Sequence, residues 1–564
     1  MSALGAIAFA TEELAPFGPG GIGKLTQLLV RQALAEGATG VHLFVPATLG
    51  VTGARVGDLF GPRVTVSQFE AGDGSALSTS LSLAAHVATW CERSPALDWI
   101  EFPDFRGLGF ATLHRARALG LRHEPKIRVR VHGPNSLVSW HEQLPIDAER
   151  AAQFDLERSC LLLADEVLAP MEPVRDAVAT FFRLGGDWRA RVRIALPPRL
   201  GDVAPRGASD RRGDDLIFPT KAQGIKRPDL FVAAAAEVMQ RRPSWRGRAV
   251  LAAHRNPAVE EGLFDGLPRP LARRFAWEQW SDLERTEHFQ GQVIVVPSDF
   301  ETLSLAAWEA AAAGARVVAS TRCPAFAPGS PWAQWPGFHG FDGTVEGLVQ
   351  ALEQALDAPA PPPFEVPSAP VASPEVPPAA EPATRVTPTD ITVLEGGRAR
   401  WLRGLPAVTT AHVLLVERAD ELGDLAGFLA QAATAVSRGA SLVVAAGRDL
   451  PTLTQGWVEP GRAGLPLVAP TDLARRVLSP ASGRRALLAT ASQLGYEPVS
   501  LFVDARAGED GATETFPPLF LDTHPFALRA ARDAAPPLRR QVIDRARGKL
   551  VGALARPLRL LRRR

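Results

Sequence analysis

Two carboxylates, Glu301 and Glu309, lie eight positions apart in Val-Val-Pro-Ser-Asp-Phe-Glu301-Thr-Leu-Ser-Leu-Ala-Ala-Trp-Glu309-Ala-Ala-Ala-Ala-Gly314. The apolar run before Pro297 reads as a buried strand, the alanine-rich stretch as a short helix, and Gly314 as its stop. Such a unit sets one carboxylate and a helix N-terminus at the carboxyl edge of a parallel sheet, where an anionic, hydroxyl-rich ligand such as a nucleotide sugar fits. Upstream, Leu-Ile-Phe-Pro-Thr-Lys221-Ala-Gln-Gly-Ile-Lys226-Arg227 places three cations just beyond another apolar run. Alone they read as a solvated loop. In one domain with Glu301 and Glu309 they supply fixed charge for a diphosphate leaving group, without a metal ion.

A glycine run, Gly18-Pro-Gly-Gly-Ile-Gly23-Lys24, follows the first apolar segment. Glycine lets a backbone approach a ligand closely and offers N–H groups to anions. The run nearly matches a phosphate-binding P-loop, and Leu161-Leu-Leu-Ala-Asp165-Glu166 imitates its partner motif. Leu25 stands where a metal-binding Ser or Thr is needed, and the run lies well beyond its strand. A structural glycine turn and a site where two ligands meet stay open beside the P-loop.

These residues need elements to hold them. Apolar runs at Ala3–Ala10, Val41–Pro46, Asp98–Phe102, Ile127–His132 and Glu166–Pro170 predict strands, with a helix over Lys24–Glu36. A second series comprises Leu216–Pro219, Ala249–Ala253, Val293–Pro297 and Arg316–Ser320. Strands alternating with helices predict doubly wound α/β domains, over 1–200 and 201–356. Residues 357–390, dense in Pro and Ala, cannot build a core and predict an extended, semi-rigid linker. A smaller α/β domain is expected over 391–520 and a basic amphipathic tail over 521–564.

The whole chain has 564 residues, too many for one core, and a formal net charge of +1, which excludes a generally electrostatic nucleic-acid binder. Cys91, Cys160 and Cys323 lie far apart. They predict neither a disulfide framework nor a structural zinc site, and fit a reducing cytoplasm. The N-terminus lacks a basic segment before its apolar residues, so a signal peptide is not indicated. No apolar run reaches the roughly 18–20 residues of a membrane span.

Gly20-Gly-Ile-Gly23, His132-Gly-Pro-Asn135, Lys221 with Lys226, and Pro297-Ser-Asp-Phe-Glu301…Glu309-Ala…Gly314 together resemble the family 4 retaining glycosyltransferases of GT-B fold. Glu157 followed by Ala164-Asp165-Glu-Val-Leu-Ala-Pro170 resembles the family's last N-domain helix and strand. The resemblance covers roughly residues 4–355 and implies two Rossmann-like domains facing a cleft. It implies that Glu309 holds the donor ribose and that Glu301 lies near the donor sugar. Thr302 and Leu303 would meet the phosphates, with Lys221 and Lys226 pairing with the diphosphate. Gly21, Ile22 and Gly23 would approach donor phosphate and acceptor, with His132 facing the sugar. No cofactor or metal is implied beyond the nucleotide-diphosphate sugar itself. The family's usual Gly-Arg is Thr220-Lys221 here, a frequent glycine is Ser304, a frequent serine is Met171, and a glycine pair is replaced by Ala253-His254-Arg255. Lysine keeps the charge but loses the bidentate fork.

Asp104 and Arg106 sit in a loop after a strand that faces the expected cleft and are candidates for acceptor contact. Trp277, Trp280, Trp332 and Trp335 could stack on a base or sugar, although packing is the commoner role. Residues 395–422 are similar to the centre of family 2 glycosyltransferases, with only Asp420 left where an Asp-x-Asp metal site belongs. That implies a degraded, noncatalytic GT-A-like remnant; an unrelated α/β module is the alternative. From Arg539 to Arg564 there are ten Arg or Lys and one acid, Asp544. A peripheral contact with the inner face of the cell membrane and a merely soluble basic end both fit this pattern. The expected activity is transfer of a sugar from a nucleotide sugar to a glycan, lipid-linked or protein acceptor in surface-polysaccharide or glycoconjugate assembly. A noncatalytic nucleotide-sugar-binding scaffold and a P-loop NTPase are the alternatives.

Overall fold

The computed structural model describes residues 5–18, 20–196, 198, 215–252, 262–280, 282–364, 371, 386–395, 398–416, 424–438, 440, 442–446, 467–478 and 499–502. The first sheet comprises β1 (Ala6–Ala10), β2 (Gly40–Pro46), β3 (Val64–Phe69), β4 (Trp99–Pro103), β5 (Lys126–Arg130), β6 (Glu166–Ala169) and β7 (Val192–Ile194). All its pairings are parallel, in the order β3-β2-β1-β4-β5-β6-β7. The second comprises β8 (Leu216–Phe218), β9 (Ala249–Ala252), β10 (Phe275–Glu278), β11 (Val293–Val296), β12 (Arg316–Ser320) and β13 (Phe338–Phe341). It too is wholly parallel, ordered β10-β9-β8-β11-β12-β13. Each sheet reverses its winding once, between β1 and β4 and between β8 and β11. Loops leaving the carboxyl ends of those strands are where ligands bind in such sheets. These two Rossmann-like sheets make the GT-B architecture.

The central strands are apolar throughout because both faces are covered. Helix α1 (Gly21–Ala35) buries Leu25, Leu28, Leu29 and Ala33 at helical spacing. It begins three residues before the expected Lys24 and so takes the glycines into its first turn. Four strands of these two sheets escape the apolar reading: β3, β7, β10 and β13. β3 is an edge strand buried only at its two ends, Val64 and Phe69, and the others are three or four residues long.

The first sheet also carries buried charge. Arg128 and Arg193 both pair with Glu166 at 2.6 Å, and Arg130 with Glu101 at 2.5 Å. Arg128 Nη1 also donates to the carbonyl of Val371, whose own N–H donates to Glu36. Earlier in the same segment Phe364 packs on Trp308, Trp332 and Trp335, and its N–H donates to Ala311. The segment expected as an extended, semi-rigid linker is docked at Phe364 and again at Val371, on both main domains. Trp332 and Trp335 build that packed cluster, while Trp277 packs on Phe264.

The third sheet comprises β14 (Ile391–Glu395), β15 (His412–Val416), β16 (Val443–Ala446), β17 (Leu467–Pro470) and β18 (Val499–Phe502), ordered β14-β15-β17-β16-β18. β17 runs antiparallel to both neighbours. Its core includes Ala118 from helix α2 (Phe110–Leu119) of the first domain, and Arg438 pairs with Glu124 there. The third domain thus packs on the back of the first. Asp420, His254, Arg255 and the basic tail lie outside the described residues. Among the described residues no helix is long and apolar enough to cross a membrane.

Candidate active site

The two reversal points face each other. Thr302 Oγ1, just after β11, donates to the backbone oxygen of His132, beyond β5, at 2.8 Å. Phe300 stacks on His141 with ring centroids 5.5 Å apart. Gly133, at φ +114, lies so close to Thr302 and Phe300 that a Cβ would sit 3.6–3.7 Å from them. The cleft is thus bounded by the β8 and β11 loops on one side and the β1, β4 and β5 loops on the other.

On the β8 and β11 side Lys226 Nζ meets Glu301 Oε1 at 2.8 Å, and Ser298 Oγ donates to the same oxygen at 3.0 Å. Arg227, at φ 56, turns the chain into the helix Pro228–Arg241 and pairs with Asp229 and Asp299. Of the three cations, Arg227 is thereby engaged by Asp229 and Asp299, while Lys221 stays exposed. The acidic pair is split between two partners. Glu309 lies in the helix Leu305–Ala312, α3, and pairs with Arg285 of the helix Asp282–Phe289. Ser304, the residue before α3, adopts φ 55 and ψ 68, a left-handed conformation that favours glycine. Its buried hydroxyl has no protein hydrogen-bond partner among the described residues. Leu303 is buried, and its carbonyl accepts from Trp308 Nε1.

On the other side two buried carboxylates organise the wall. Asp104 is fully buried and accepts from the N–H groups of His132 at 2.9 Å and Gly133 at 3.4 Å. Burial, reinforced by Glu157, pushes its pKa well above the ordinary carboxylate range despite those donors. The expected acceptor contact through Asp104 is corrected: its carboxylate lies behind the wall and holds the loop. Glu157 accepts from the N–H groups of Arg106, Asn135 and Ser136 at 2.8, 2.6 and 3.1 Å, and from the Ser136 hydroxyl. Burial raises it to about 7 in spite of those donors. His132 keeps one side on the cleft, yet burial, with Arg130 adding, lowers its pKa to about 3. It is a neutral hydrogen-bonding ring at physiological pH. Arg106 reaches the cleft side but is engaged by Glu12 at 3.0 Å and by the Gly74 carbonyl.

Gly21, Ile22 and Gly23 form the first turn of α1, and their surroundings differ from expectation. The Glu13 carboxylate accepts from Gly23 N–H at 3.3 Å and also meets the Ile22 N–H. Gly20, at φ +140, is where it is because a Cβ would fall 1.8 Å from a Glu13 oxygen. This arrangement, with Leu25 buried, leaves no cradle for a P-loop phosphate. The imitation of its partner motif is structural: Asp165 accepts from Ile127 N–H and pairs with Arg117, and Glu166 joins the buried arginines.

Sequence reasoning missed Glu13 and Arg285. Glu13 had a signal, an acidic pair directly after the first strand. Arg285 had none, since Asp-Leu-Glu-Arg-Thr-Glu reads as a solvated helix face. The Trp280 ring stacks on His288 at 4.3 Å, and its Nε1 donates to Glu278.

No family model matches the chain. It is 26% identical over 337 residues, 56% of this chain and 78% of the relative, to a D-inositol 3-phosphate glycosyltransferase of Kribbella flavida. It is 33% identical over 152 residues to a D-inositol 3-phosphate glycosyltransferase of Frankia alni. That match takes in 25% of this chain and spans only a third, 33%, of that relative. Among solved structures, it aligns with a sucrose-phosphate synthase from Thermosynechococcus elongatus at 16% identity and TM-score 0.46, over 62% of this chain and 89% of the other. It also aligns with the catalytic domain of starch synthase IV from Arabidopsis thaliana at 14% identity and TM-score 0.45, over 63% and 92%.

Proposed function

Since this chain is a family 4 retaining glycosyltransferase of GT-B fold, we propose that it moves a sugar from a nucleoside-diphosphate donor held at the β8 and β11 loops to a hydroxyl acceptor entering along the β1 and β4 loops. The observation that carries this reading is the meeting of Lys226 with Glu301, tied through Thr302 to His132 of the facing domain.

As the bond between the sugar and the diphosphate breaks, negative charge gathers on the outer phosphate. Lys226, Lys221 and the N-terminal N–H groups of α3 stabilise that charge, which is greater in the transition state than in the ground state. Lys226 starts in the ion pair with Glu301, so donor binding turns it toward the phosphate while Glu301 takes sugar hydroxyls. Glu309 accepts from the ribose hydroxyls, held in place by Arg285. His132, being neutral, offers a hydrogen bond to the sugar and no charge. The departing phosphate takes the acceptor proton on the same face, and no protein nucleophile or metal ion is required.

The relatives are named for D-inositol 3-phosphate. Here the acceptor end carries Glu12 and Glu13, and Arg106 is already paired with Glu12, which supports an uncharged, hydroxyl-rich acceptor in surface-polysaccharide or glycoconjugate assembly. Incubation with a panel of nucleotide sugars tests the reading. Release of nucleoside diphosphate from one of them, strongly reduced in Lys226→Ala, is expected. Binding without any turnover would favour the scaffold alternative.

A further inference from the structure

The N-terminus of α1 is an anion seat already filled. Its residue Gly20 brings no side-chain cap and its first turn holds no acid. The cap comes instead from Glu13, ten residues upstream of Gly23. A tight turn aims it there: Thr11 Oγ1 donates to the Glu13 carbonyl at 2.6 Å and accepts from its N–H at 3.1 Å. Gly20 leaves room for the carboxylate, and Gly23 for the backbone of Glu13 and Leu14, which a Cβ would approach within 2.9 Å. The glycines are therefore arranged around Glu13. Burial raises the Glu13 pKa, opposed by the Gly23 N–H and by Lys221 of the second domain.

We propose that Glu13 is a built-in competitor of the donor diphosphate: it occupies the α1 seat and weakens the hold of the cleft on phosphate. The inference rests on the glycosyltransferase reading and deepens it. A released nucleoside diphosphate carries more negative charge than the same diphosphate esterified to a sugar. Repulsion by Glu13 therefore bears harder on product than on donor, which makes Glu13 a residue for product release and for discrimination between the two. The charge matters here more than the shape, since a glutamine keeps an oxygen for Gly23 N–H.

Calorimetric binding of UDP, GDP and ADP, and of the matching nucleosides, to the full chain tests this. Whichever diphosphate the wild type binds, Glu13→Gln should bind it roughly tenfold more tightly, with nucleoside binding unchanged. The gain should shrink in 1 M salt. Glu13→Asp, which keeps the charge, should give little gain and controls for loss of fold. Equal or weaker diphosphate binding by a folded Glu13→Gln overturns the inference and leaves the glycosyltransferase reading standing. Failure of every nucleoside diphosphate to bind either form overturns both.

Discussion

Ser304 offers a prediction whose size follows from the geometry. It precedes α3, the helix that carries Glu309, and its carbonyl accepts from Ala307 and Trp308 N–H. A left-handed backbone at a residue with a Cβ costs about 1 kcal/mol or somewhat more. A buried hydroxyl without a partner adds about 1 kcal/mol at the least. Replacing serine by glycine removes both terms, and the greater freedom of glycine in the unfolded chain returns about 0.7 kcal/mol. Ser304→Gly should therefore stabilise the donor domain by about 1–2 kcal/mol. With a urea slope of about 2 kcal/mol per molar for a domain of this size, the midpoint should rise by roughly 0.5–1 M at unchanged slope. Tryptophan fluorescence is a suitable probe, because Trp308 and Trp332 are fully buried beside this helix. An unchanged or lowered midpoint refutes the strain argument. Weaker donor binding in the stabilised variant would instead mark the Ser304 hydroxyl as a ligand of the donor.

Three further expectations are separable from it. Glu309→Gln should weaken nucleotide binding at least tenfold by calorimetry, because it loses a ribose acceptor and frees Arg285, whereas Lys226→Ala should act mainly on turnover; equal nucleotide binding by Glu309→Gln contradicts the ribose assignment. Truncation after residue 372 should keep donor binding, while truncation after 356 should melt earlier by thermal scan, since it strips Phe364 from the tryptophan cluster and large aromatic deletions cost about 3–5 kcal/mol. His114 is fully buried against Ser159 with its pKa lowered to about 3, so it stays neutral in the folded state while the unfolded chain takes up a proton below about 6.5. Its contribution is complete above that value and is lost as pH falls toward 3, by up to roughly 5 kcal/mol. The acid limb of the stability–pH curve should be shallower in His114→Gln, and parallel limbs refute this.

Much of the fold is legible because parallel strands covered on both faces are continuous apolar runs. β12 spans Arg316–Ser320, the same five residues that the pattern marks. The edge strand β3 and the short β10 and β13 lack such a run, and their pairing depends on neighbours far along the chain. The meeting of Lys226 with Glu301 was readable for a related reason: each follows an apolar strand, β8 or β11, and the winding of the sheet sets those strands side by side. What could not be read is burial of single polar groups. Asp104 and a genuine cleft acid look alike in sequence, as loop acids after a strand, and only the backbone of His132 and Gly133 distinguishes them. Glu13 was hidden by the glycines after it, which invite a phosphate until a side chain is seen in its place. Phe364 and Val371 lie in a segment whose composition predicts no core, and they dock singly rather than build one.

The central claim is that the cleft between the first two domains turns over a nucleotide sugar through Lys226 and the β11 loop. The most direct measurement is nucleoside diphosphate release by the full chain from a panel of nucleotide sugars, with chelator present and with the anomeric form of the transferred or hydrolysed sugar read by NMR. Release that survives chelation, retains the anomeric configuration and falls at least a hundredfold in Lys226→Ala is the predicted result. Release from none of the donors, or magnesium-dependent ATP hydrolysis indifferent to Lys226, would contradict it.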